Sequence, residues 1–350
     1  MLLVRPCHSS DLEAITALLE RSGLRLSTLP RDPELLAERV QVSLESFAQS
    51  PSRQGKERLL FVLEYSPGNS DSDRDTPQVI GLAGIDVCAG NGAPFYSYRR
   101  DELIHASHTL NVHNRIPVLY LTHELTGSTL LCSFMLHPDW ATSDHRALLM
   151  CSRLLFIQQY RHRFADTVIS EIQGVSTEDA QSPFWDSLGA HFFAMSFAEA
   201  DSHSAYRSKT FIAELMPPHP IYVPLLTPAA QRVIAVAHDQ AQVNIELMER
   251  EGFSKGPHID IFDGGPTYEC PAVRLSATNP ARIKQVRFGG HNAGQTYLVA
   301  NTSFQEFRCA LVRFSDGLGD VIRIQETVAG LLGVKDGDAV IYVPFKSGGR

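Results

Sequence analysis

The N-terminal part of the chain alternates between short apolar runs and amphipathic stretches. Apolar residues spaced three and four apart predict two helices, and nearly continuous apolar runs predict strands on either side of them. The polar tract at 66–78 separates two of these strands, and we interpret it as an exposed hairpin loop. The pattern therefore predicts strand, helix, helix, strand, strand, in this order: 2–5, 9–26, 32–47, 59–65 and 79–87.

The middle of the chain begins with a segment that has no clear periodicity. Residues 91–129 are rich in polar aromatic side chains and histidines, and we interpret them as loops around one short strand at 118–121. The pattern then predicts a strand, a long helix, a strand and a short helix that opens at Ser182-Pro183 and ends at Gly189. We expect these four elements at 130–136, 144–162, 167–173 and 182–189.

The second half repeats a helix–glycine–strand theme. The pattern predicts a final body strand that ends in the turn Asp263-Gly264-Gly265-Pro266. Because Gly252-Phe253 also follows a helix and precedes a strand, a duplication of the body is one interpretation, and a common helix–glycine–strand connection is the other. The elements predicted here are a strand, two helices and a strand, at 210–215, 227–236, 242–251 and 259–262.

After the body, short β-rich runs alternate with turns up to the C-terminus. We therefore predict an α+β fold in two parts. Residues 1–282 form the body, which a tandem arrangement would divide into 1–215 and 216–282. Residues 283–346 form a small all-β module, predicted to be a barrel.

Composition excludes several classes of protein. The 350 residues include 31 lysine and arginine residues against 39 aspartate and glutamate residues, and the net charge of −8 disfavours nucleic-acid binding. With 43% hydrophobic residues the chain can bury a core, yet no stretch is apolar enough to span a membrane. We expect no secretory leader, and hence a cytoplasmic protein with reduced thiols.

The spacings of metal-binding motifs are missing from the sequence. Cys132 and Cys151 are the closest pair of cysteines and lie 19 residues apart, which excludes a CxxC knuckle. His105, His108 and His113 cluster without an HExxH pattern, and we interpret them as ordinary loop or surface histidines. The sequence therefore predicts no metal site.

The element order from residue 130 to residue 189 resembles that of the GNAT superfamily of acyl-CoA N-acyltransferases. In that arrangement a splayed strand binds the pantetheine arm, and the start of the long helix faces the pyrophosphate. Six motifs also occur together and in order: His105-Ala-Ser to Leu110-Asn111, Thr126-Gly127-Ser128, Ser182-Pro-Phe-Trp185 with Leu188-Gly189, Phe211-Ile-Ala-Glu-Leu-Met-Pro217, His219-Pro-Ile-Tyr222 and Ile259-Asp-Ile-Phe-Asp-Gly-Gly-Pro266.

Together these motifs resemble the arginine N-succinyltransferase family over about residues 2–345. Three further motifs resemble the alpha-type subunit found in bacteria with two related subunits: Phe95-Tyr-Ser-Tyr98, Val112-His-Asn114 and Ile221-Tyr-Val-Pro-Leu-Leu226. The resemblance implies transfer of a succinyl group from succinyl-CoA to the α-amine of L-arginine in arginine catabolism. It also implies succinyl-CoA as co-substrate, no bound cofactor, and either a homo-oligomer or a hetero-oligomer with a beta-type subunit.

Two site residues follow from the resemblance. His238 stands where the family has its proton-donating histidine, and an imidazole suits proton transfer near neutrality. Phe134 stands at a succinyl-CoA position on the splayed strand, where a backbone contact would tolerate the change from leucine. Each residue also has a structural interpretation, because His238 can cap a helix end and Phe134 can fill the core of a buried strand.

One loop departs from the family pattern. Active single-subunit relatives carry Arg-x-x-Gly-x-Gly at the start of the long helix, whereas this chain has Ala141, Asp144 and Arg146 there. Glycines let the backbone approach a pyrophosphate closely, and a carboxylate repels it. This departure leaves open a weakly active or inactive subunit that supports a beta-type partner. An acyltransferase for another amine such as ornithine also stays open, because the sequence does not reveal the acceptor pocket.

The acceptor pocket needs a carboxylate for the guanidinium of arginine, best through two parallel hydrogen bonds. Four acidic residues in or beside the motifs are candidates: Glu124, Glu214, Asp260 and Asp263. A structural role also explains each of them, and Asp263 in particular is expected to cap the Gly-Gly-Pro turn.

Overall fold

The protein has a mixed α/β fold, which a computed structural model describes for residues 1–22, 28–48, 55–67, 77–109, 111–177, 181–193, 195–197, 199–200, 214–216, 218–275, 281–290, 293–317 and 319–346. The strands within these residues are Leu2–Pro6 (β1), Arg58–Tyr65 (β2), Gln78–Asp86 (β3), Ser97–Ser107 (β4), Val112–Thr122 (β5), Thr129–Leu136 (β6), Thr167–Glu171 (β7), Ile221–Tyr222 (β8), Ser254–Ile259 (β9), Pro266–Pro271 (β10), Arg282–Phe288 (β11), Gln295–Asn301 (β12), Cys309–Phe314 (β13), Val321–Ile324 (β14) and Ala339–Pro344 (β15).

The α-helices whose bounds lie within the described residues are Leu12–Ser22 (α1), Pro33–Ala48 (α2), Ser143–Gln159 (α3), Pro183–Ser187 (α4), Pro228–Val233 (α5), Gln242–Arg250 (α6) and Glu326–Leu332 (α7). Two compact units share these elements, and each is assembled from separate chain segments. The first unit comprises Met1–Val87, Leu131–Asp166 and Pro271–Arg350, and the second comprises Cys88–Leu130 and Thr167–Cys270.

The first unit is built around a sheet with the strand order β14-β11-β15-β12-β13-β1-β2-β3-β6. Strand β1 pairs in antiparallel fashion with both β2 and β13. Helix α3 is buried along eleven consecutive residues, 147–157, as expected for a helix that is apolar on nearly all sides. Helices α1 and α2 bury their apolar faces against β2 and β3, in a cluster that includes Ile15, Leu36, Leu60 and Leu82.

The C-terminal part of the first unit has a hydrophobic cluster of its own. Tyr297, Phe314 and Tyr342 pack their rings together there, with centroids 4.3–5.5 Å apart. The predicted strands of this segment are present as β12 to β15. The prediction of an all-β segment was incomplete, because the Glu326–Leu332 stretch forms α7 and closes the cluster with Ala329 and Leu332.

The second unit has the strand order β7-β10-β9-β4-β5-β8. The first two residues of β6 also belong to this unit, and these residues, Thr129 and Leu130, pair in parallel with Val168 and Ile169 of β7. Helix α4 begins after Ser182, whose side chain accepts a hydrogen bond from Trp185 N–H, and Gly189 follows the helix as predicted. A Cβ atom at Gly189 would lie 2.3 Å from the Trp185 ring, so the tight packing of this ring requires glycine.

The largest error of the sequence analysis concerns residues 91–129, which were predicted to be loops with one short strand. Residues 97–107 and 112–122 of this segment form a hairpin in which β4 and β5 pair over eleven residues each, from Ser97–Thr122 to Ser107–Val112. Beyond the root of the hairpin most residues are exposed on both faces. A strand in contact with water on both sides needs no alternation of apolar and polar residues, so the periodicity that reveals strands is missing.

Two other predictions need correction. The strand predicted at 259–262 ends at Ile259, because the Asp260 side chain accepts the backbone N–H groups of Phe262 and Asp263 and bends the chain into a turn. The strand predicted at 210–215 lies outside the described residues except for Glu214 and Leu215, which are helical. Most of the predicted loop 66–78, and residues 211–213 and 217 of one motif, also lie outside the described residues.

Candidate active site

His238 lies in the second unit at the start of a short 3-10 turn, Asp239–Ala241. Its backbone N–H donates to the carbonyl oxygen of Gln173 at 2.9 Å, which anchors it beside the end of β7. The imidazole Nδ1 accepts a hydrogen bond from the backbone N–H of Gln240 at 3.3 Å. In the neutral ring this contact places the proton on Nε2. Nε2 of the half-buried side chain is therefore the ring nitrogen that can contact a substrate.

A buried carboxylate holds the chain segments around His238 together. Asp263 Oδ2 accepts the backbone N–H of Gly174 and Asp263 Oδ1 accepts that of Gly265, both at 2.7 Å. Gly174 in turn forms an antiparallel bridge with Ala237, the residue before His238. Asp263 therefore caps the Gly-Gly-Pro turn as the sequence predicts, and it also fixes the backbone that carries His238.

Asp260 likewise caps a turn with its side chain. Its Oδ1 atom accepts the backbone N–H groups of Phe262 at 2.7 Å and Asp263 at 3.2 Å, and Asp260 is 8% exposed. Glu214, by contrast, is an exposed residue of a helical segment. The geometry thus favours the structural interpretation of Asp260 and Asp263.

Glu124 has a different environment, because it connects two basic side chains. Its Oε1 atom accepts a hydrogen bond from Arg99 Nη1 at 3.2 Å, and its Oε2 atom lies 3.1 Å from Nε2 of His258. His258 is 6% exposed, and its Nδ1 atom is buried without a hydrogen-bond partner. This histidine was not among the predicted site residues, although it lies directly before the Ile259–Pro266 motif.

Phe134 lies in the first unit, half-buried on β6. The residue before it, Ser133, has a φ of +52°, a left-handed conformation that costs a non-glycine residue about 1–2 kcal/mol. The Ser133 N–H donates to Thr28 Oγ1 at 3.1 Å. The Phe134 ring faces the guanidinium of Arg153 on α3, with 5.1 Å from Cζ to the ring centroid. Arg153 was not among the predicted site residues, and the signal for it in the sequence is a charged residue within an apolar helix.

The start of α3 shows what has replaced the glycine-rich loop. Thr142 is the N-cap, and its hydroxyl accepts the N–H of His145 at 3.2 Å. Asp144 is exposed in the first turn. Arg146 is half-buried, and burial lowers the pKa of its guanidinium. A carboxylate in the first turn stabilises the helix through its dipole, but it repels any other anion that binds at the helix N-terminus.

Two further observations concern ions and membranes. Among the residues that the structure describes, no group of three or more histidine, cysteine, aspartate or glutamate side chains is arranged to hold a metal ion. None of the described helices combines the length and the apolar character needed to cross a membrane.

Comparison with known proteins identifies the family. The model of the family described as arginine N-succinyltransferase beta subunit matches residues 2–277, and that of its C-terminal domain matches residues 281–344. The chain belongs to the arginine N-succinyltransferase family. Although these models carry a beta-subunit description, the chain is also similar to a protein named as subunit alpha.

That protein is the arginine N-succinyltransferase subunit alpha of Pseudomonas aeruginosa, 38% identical over 98% of this chain and 99% of the relative. The arginine N-succinyltransferase of Escherichia coli K12 is 39% identical over 89% of each chain. The solved structure of arginine/ornithine succinyltransferase subunit AI from Pseudomonas aeruginosa superposes with a TM-score of 0.87 at 36% identity, covering 100% of this chain and 99% of that chain. The family resemblance seen in the sequence is thereby confirmed.

Proposed function

We propose that this chain is an arginine N-succinyltransferase that transfers the succinyl group of succinyl-CoA to the α-amine of L-arginine. The observation that carries the proposal is the geometry of His238, whose Nδ1 is occupied by the Gln240 N–H so that Nε2 is the ring nitrogen that can contact the substrate. The names of the Pseudomonas and Escherichia relatives support the same reaction.

In the proposed reaction the neutral α-amine attacks the thioester carbonyl carbon. A C–N bond forms and the C–S bond breaks, the nitrogen loses a proton, and the CoA thiolate gains one. His238 acts as the general acid in its imidazolium form, in which Nδ1 is also protonated and gives up the Gln240 contact. It donates its Nε2 proton to the departing sulfur and is reprotonated by the proton that the amine nitrogen loses. Asp263 supports this step indirectly, because it holds Gly174, which pairs with the residue next to His238.

The succinyl-CoA site is proposed to include the backbone of β6 around Phe134. Strand β6 pairs in parallel with β7 through Thr129 and Leu130, and two parallel strands connected by a long helix are the arrangement of GNAT-type enzymes. We accordingly propose a GNAT-like body over residues 1–282, either tandem or single. The separate hydrophobic cluster of the C-terminal segment supports a distinct module at 283–346.

The experiment that tests the reaction is a coupled assay of arginine-dependent CoA release. His238→Gln keeps a side chain of similar polarity but cannot transfer a proton, and we expect it to lower kcat by about 10²–10⁴-fold. Binding of succinyl-CoA, measured by calorimetry, should be unchanged. The exposed His191 in the same unit provides the control variant His191→Gln, which should keep full activity. Full activity in His238→Gln would refute the proposed role of this residue.

Ornithine is a second candidate acceptor, because the similar solved structure is described as an arginine/ornithine succinyltransferase subunit. Parallel assays with arginine and ornithine decide between the two amines.

Of the four acidic candidates, Glu124 remains the best for the acceptor, because it already binds the guanidinium of Arg99 and is half-exposed.

We also propose that the chain acts in an oligomer, with a second copy or with a beta-type subunit. The support comes from the outer part of the β4–β5 hairpin, residues 100–109 and 111–117, which we term the arm. The arm is mostly exposed and carries Ile104, which is 60% exposed. An isolated two-stranded hairpin is marginally stable in water, so an arm of this length gains stability from a partner.

A further inference from the structure

Arg153 differs from the other buried arginines of the first unit. Arg39 pairs with Asp86, and Arg163 pairs with Glu57. Arg153 is 1% exposed, yet within the described part of the chain its hydrogen-bond partners are two carbonyl oxygens and a thioether. Buried cations are normally paired with a carboxylate. Burial lowers the pKa of Arg153 to about 10, so the guanidinium still carries its charge at neutral pH.

The two carbonyl groups belong to neighbouring strands. Nη1 of Arg153 donates to the Gly84 carbonyl on β3 at 3.0 Å and to the Cys132 carbonyl on β6 at 3.3 Å. Cys132 directly precedes Ser133, the residue with the left-handed φ. A Cβ atom at Gly84 would lie 2.8 Å from Cys132 Sγ, so the absence of a side chain on β3 makes room for this irregular segment.

The same guanidinium also supports the Phe134 ring, at 5.1 Å from Cζ to the centroid. A planar guanidinium can donate in its own plane and stack against an aromatic ring with its face, which an ammonium group cannot do. We propose that Arg153 is a positioning residue for succinyl-CoA, which fixes the backbone of β6 at 132–134 through the Cys132 carbonyl and the Phe134 ring. The inference rests on the proposed role of the Phe134 segment in binding succinyl-CoA.

The test compares Arg153→Met and Arg153→Lys with Arg163→Lys. Arg163 is a matched control, since it is also 1% exposed and stacks on a phenylalanine, Phe304, at 3.9 Å. Arg153→Met should weaken succinyl-CoA binding, measured by calorimetry, by about 10–100-fold, because a misplaced binding segment costs this much. Arg153→Lys should recover part of the affinity by donating to the carbonyls. Arg163→Lys should bind as the wild type does, although all three variants lower Tm.

A second measurement does not depend on the ligand. Hydrogen exchange of the amides at 132–134 should be faster in Arg153→Met than in the wild type, and unchanged there in Arg163→Lys. Failure of the wild type to bind succinyl-CoA would count against the proposed function, whereas the exchange data would still judge Arg153. The positioning role is overturned if exchange at 132–134 is unchanged in both Arg153 variants, or if they bind succinyl-CoA as tightly as Arg163→Lys. Should Arg153→Met fail to fold, Arg153→Lys carries both measurements.

Discussion

Asp263 shows how a single side chain organises the segment that bears His238. Its two carboxylate oxygens accept backbone N–H groups from residues 174 and 265, which are far apart in the sequence. A turn-capping role could be predicted from the Asp-Gly-Gly-Pro pattern, because such residues cap turns locally. The contact with Gly174 could not, since nothing in local sequence records which distant segment packs against a turn.

We expect Asp263→Ala to lower the free energy of unfolding by about 2–4 kcal/mol, because two buried N–H groups lose their acceptor. Urea unfolding gives this difference. The exposed Asp239 on the neighbouring turn provides the control, and Asp239→Ala should unfold at the same urea concentration as the wild type. Equal stability of the two variants would show that Asp263 does not hold these segments together.

Asp11 predicts a pH dependence of stability. Burial by itself raises the pKa of this carboxyl, but hydrogen bonds from Arg5 at 2.8 and 2.9 Å and from the His8 N–H outweigh it and leave the pKa below its usual value. Folding therefore favours the ionised form. The resulting stabilisation is present above the unfolded pKa and is lost as the pH falls through the lower folded pKa.

Between about pH 5 and pH 2 the free energy of unfolding should therefore fall by about 1–3 kcal/mol less in Asp11→Asn than in the wild type. The measurement is urea unfolding across this range. Asp139→Asn, at a site whose side chain is 85% exposed, should follow the wild-type curve. Parallel curves for Asp11→Asn and the wild type would contradict the assignment.

At the scale of single elements, the start of α3 connects stability with binding. Asp144 sits in the first helical turn, where a carboxylate favours the helix and disfavours a bound phosphate. Asp144→Asn should tighten succinyl-CoA binding about two- to fivefold, since one charge at a helix terminus contributes about 0.3–1 kcal/mol. Calorimetry at low salt measures this gain. Asp139→Asn, which changes a charge just before the helix, should have a smaller effect, and weaker binding in Asp144→Asn would be the contrary result.

Elements were predictable where one side faces a core and the other faces water. An apolar run predicted β2, and spaced apolar residues predicted α2. Both elements begin and end within one residue of the predicted bounds. The hairpin of β4 and β5 was not predicted, because Asp101, Glu102 and His105 lie on strands with little buried surface. The contact between Phe134 and Arg153 escaped for another reason, as it joins a strand and a helix whose separate patterns reveal nothing about their register.

At the scale of the whole molecule, we expect the arm to form the contact between subunits. Ile104→Asp places a charge on its exposed strand, and we expect the variant to lower the association constant of the oligomer at least about tenfold, as loss of a central contact does. Sedimentation equilibrium measures the change. Val273→Asp alters a position in the other unit that is more exposed still, at 76%, and it should leave the mass of the oligomer unchanged. A monomeric wild type, or unchanged assembly in Ile104→Asp, would contradict an arm-mediated oligomer.

The order of the strands also has a consequence for synthesis of the protein on the ribosome. Strand β1 is made well before β13, yet one of its edges pairs with β13 through Val4 and Cys309. At usual elongation rates, the ribosome needs about 15–60 s to reach that partner. For this interval the nascent chain exposes an apolar strand edge, a template for aggregation that chaperones must shield. Truncation before β13 would make that exposure permanent, so premature stop codons late in the gene should yield insoluble rather than merely shortened protein.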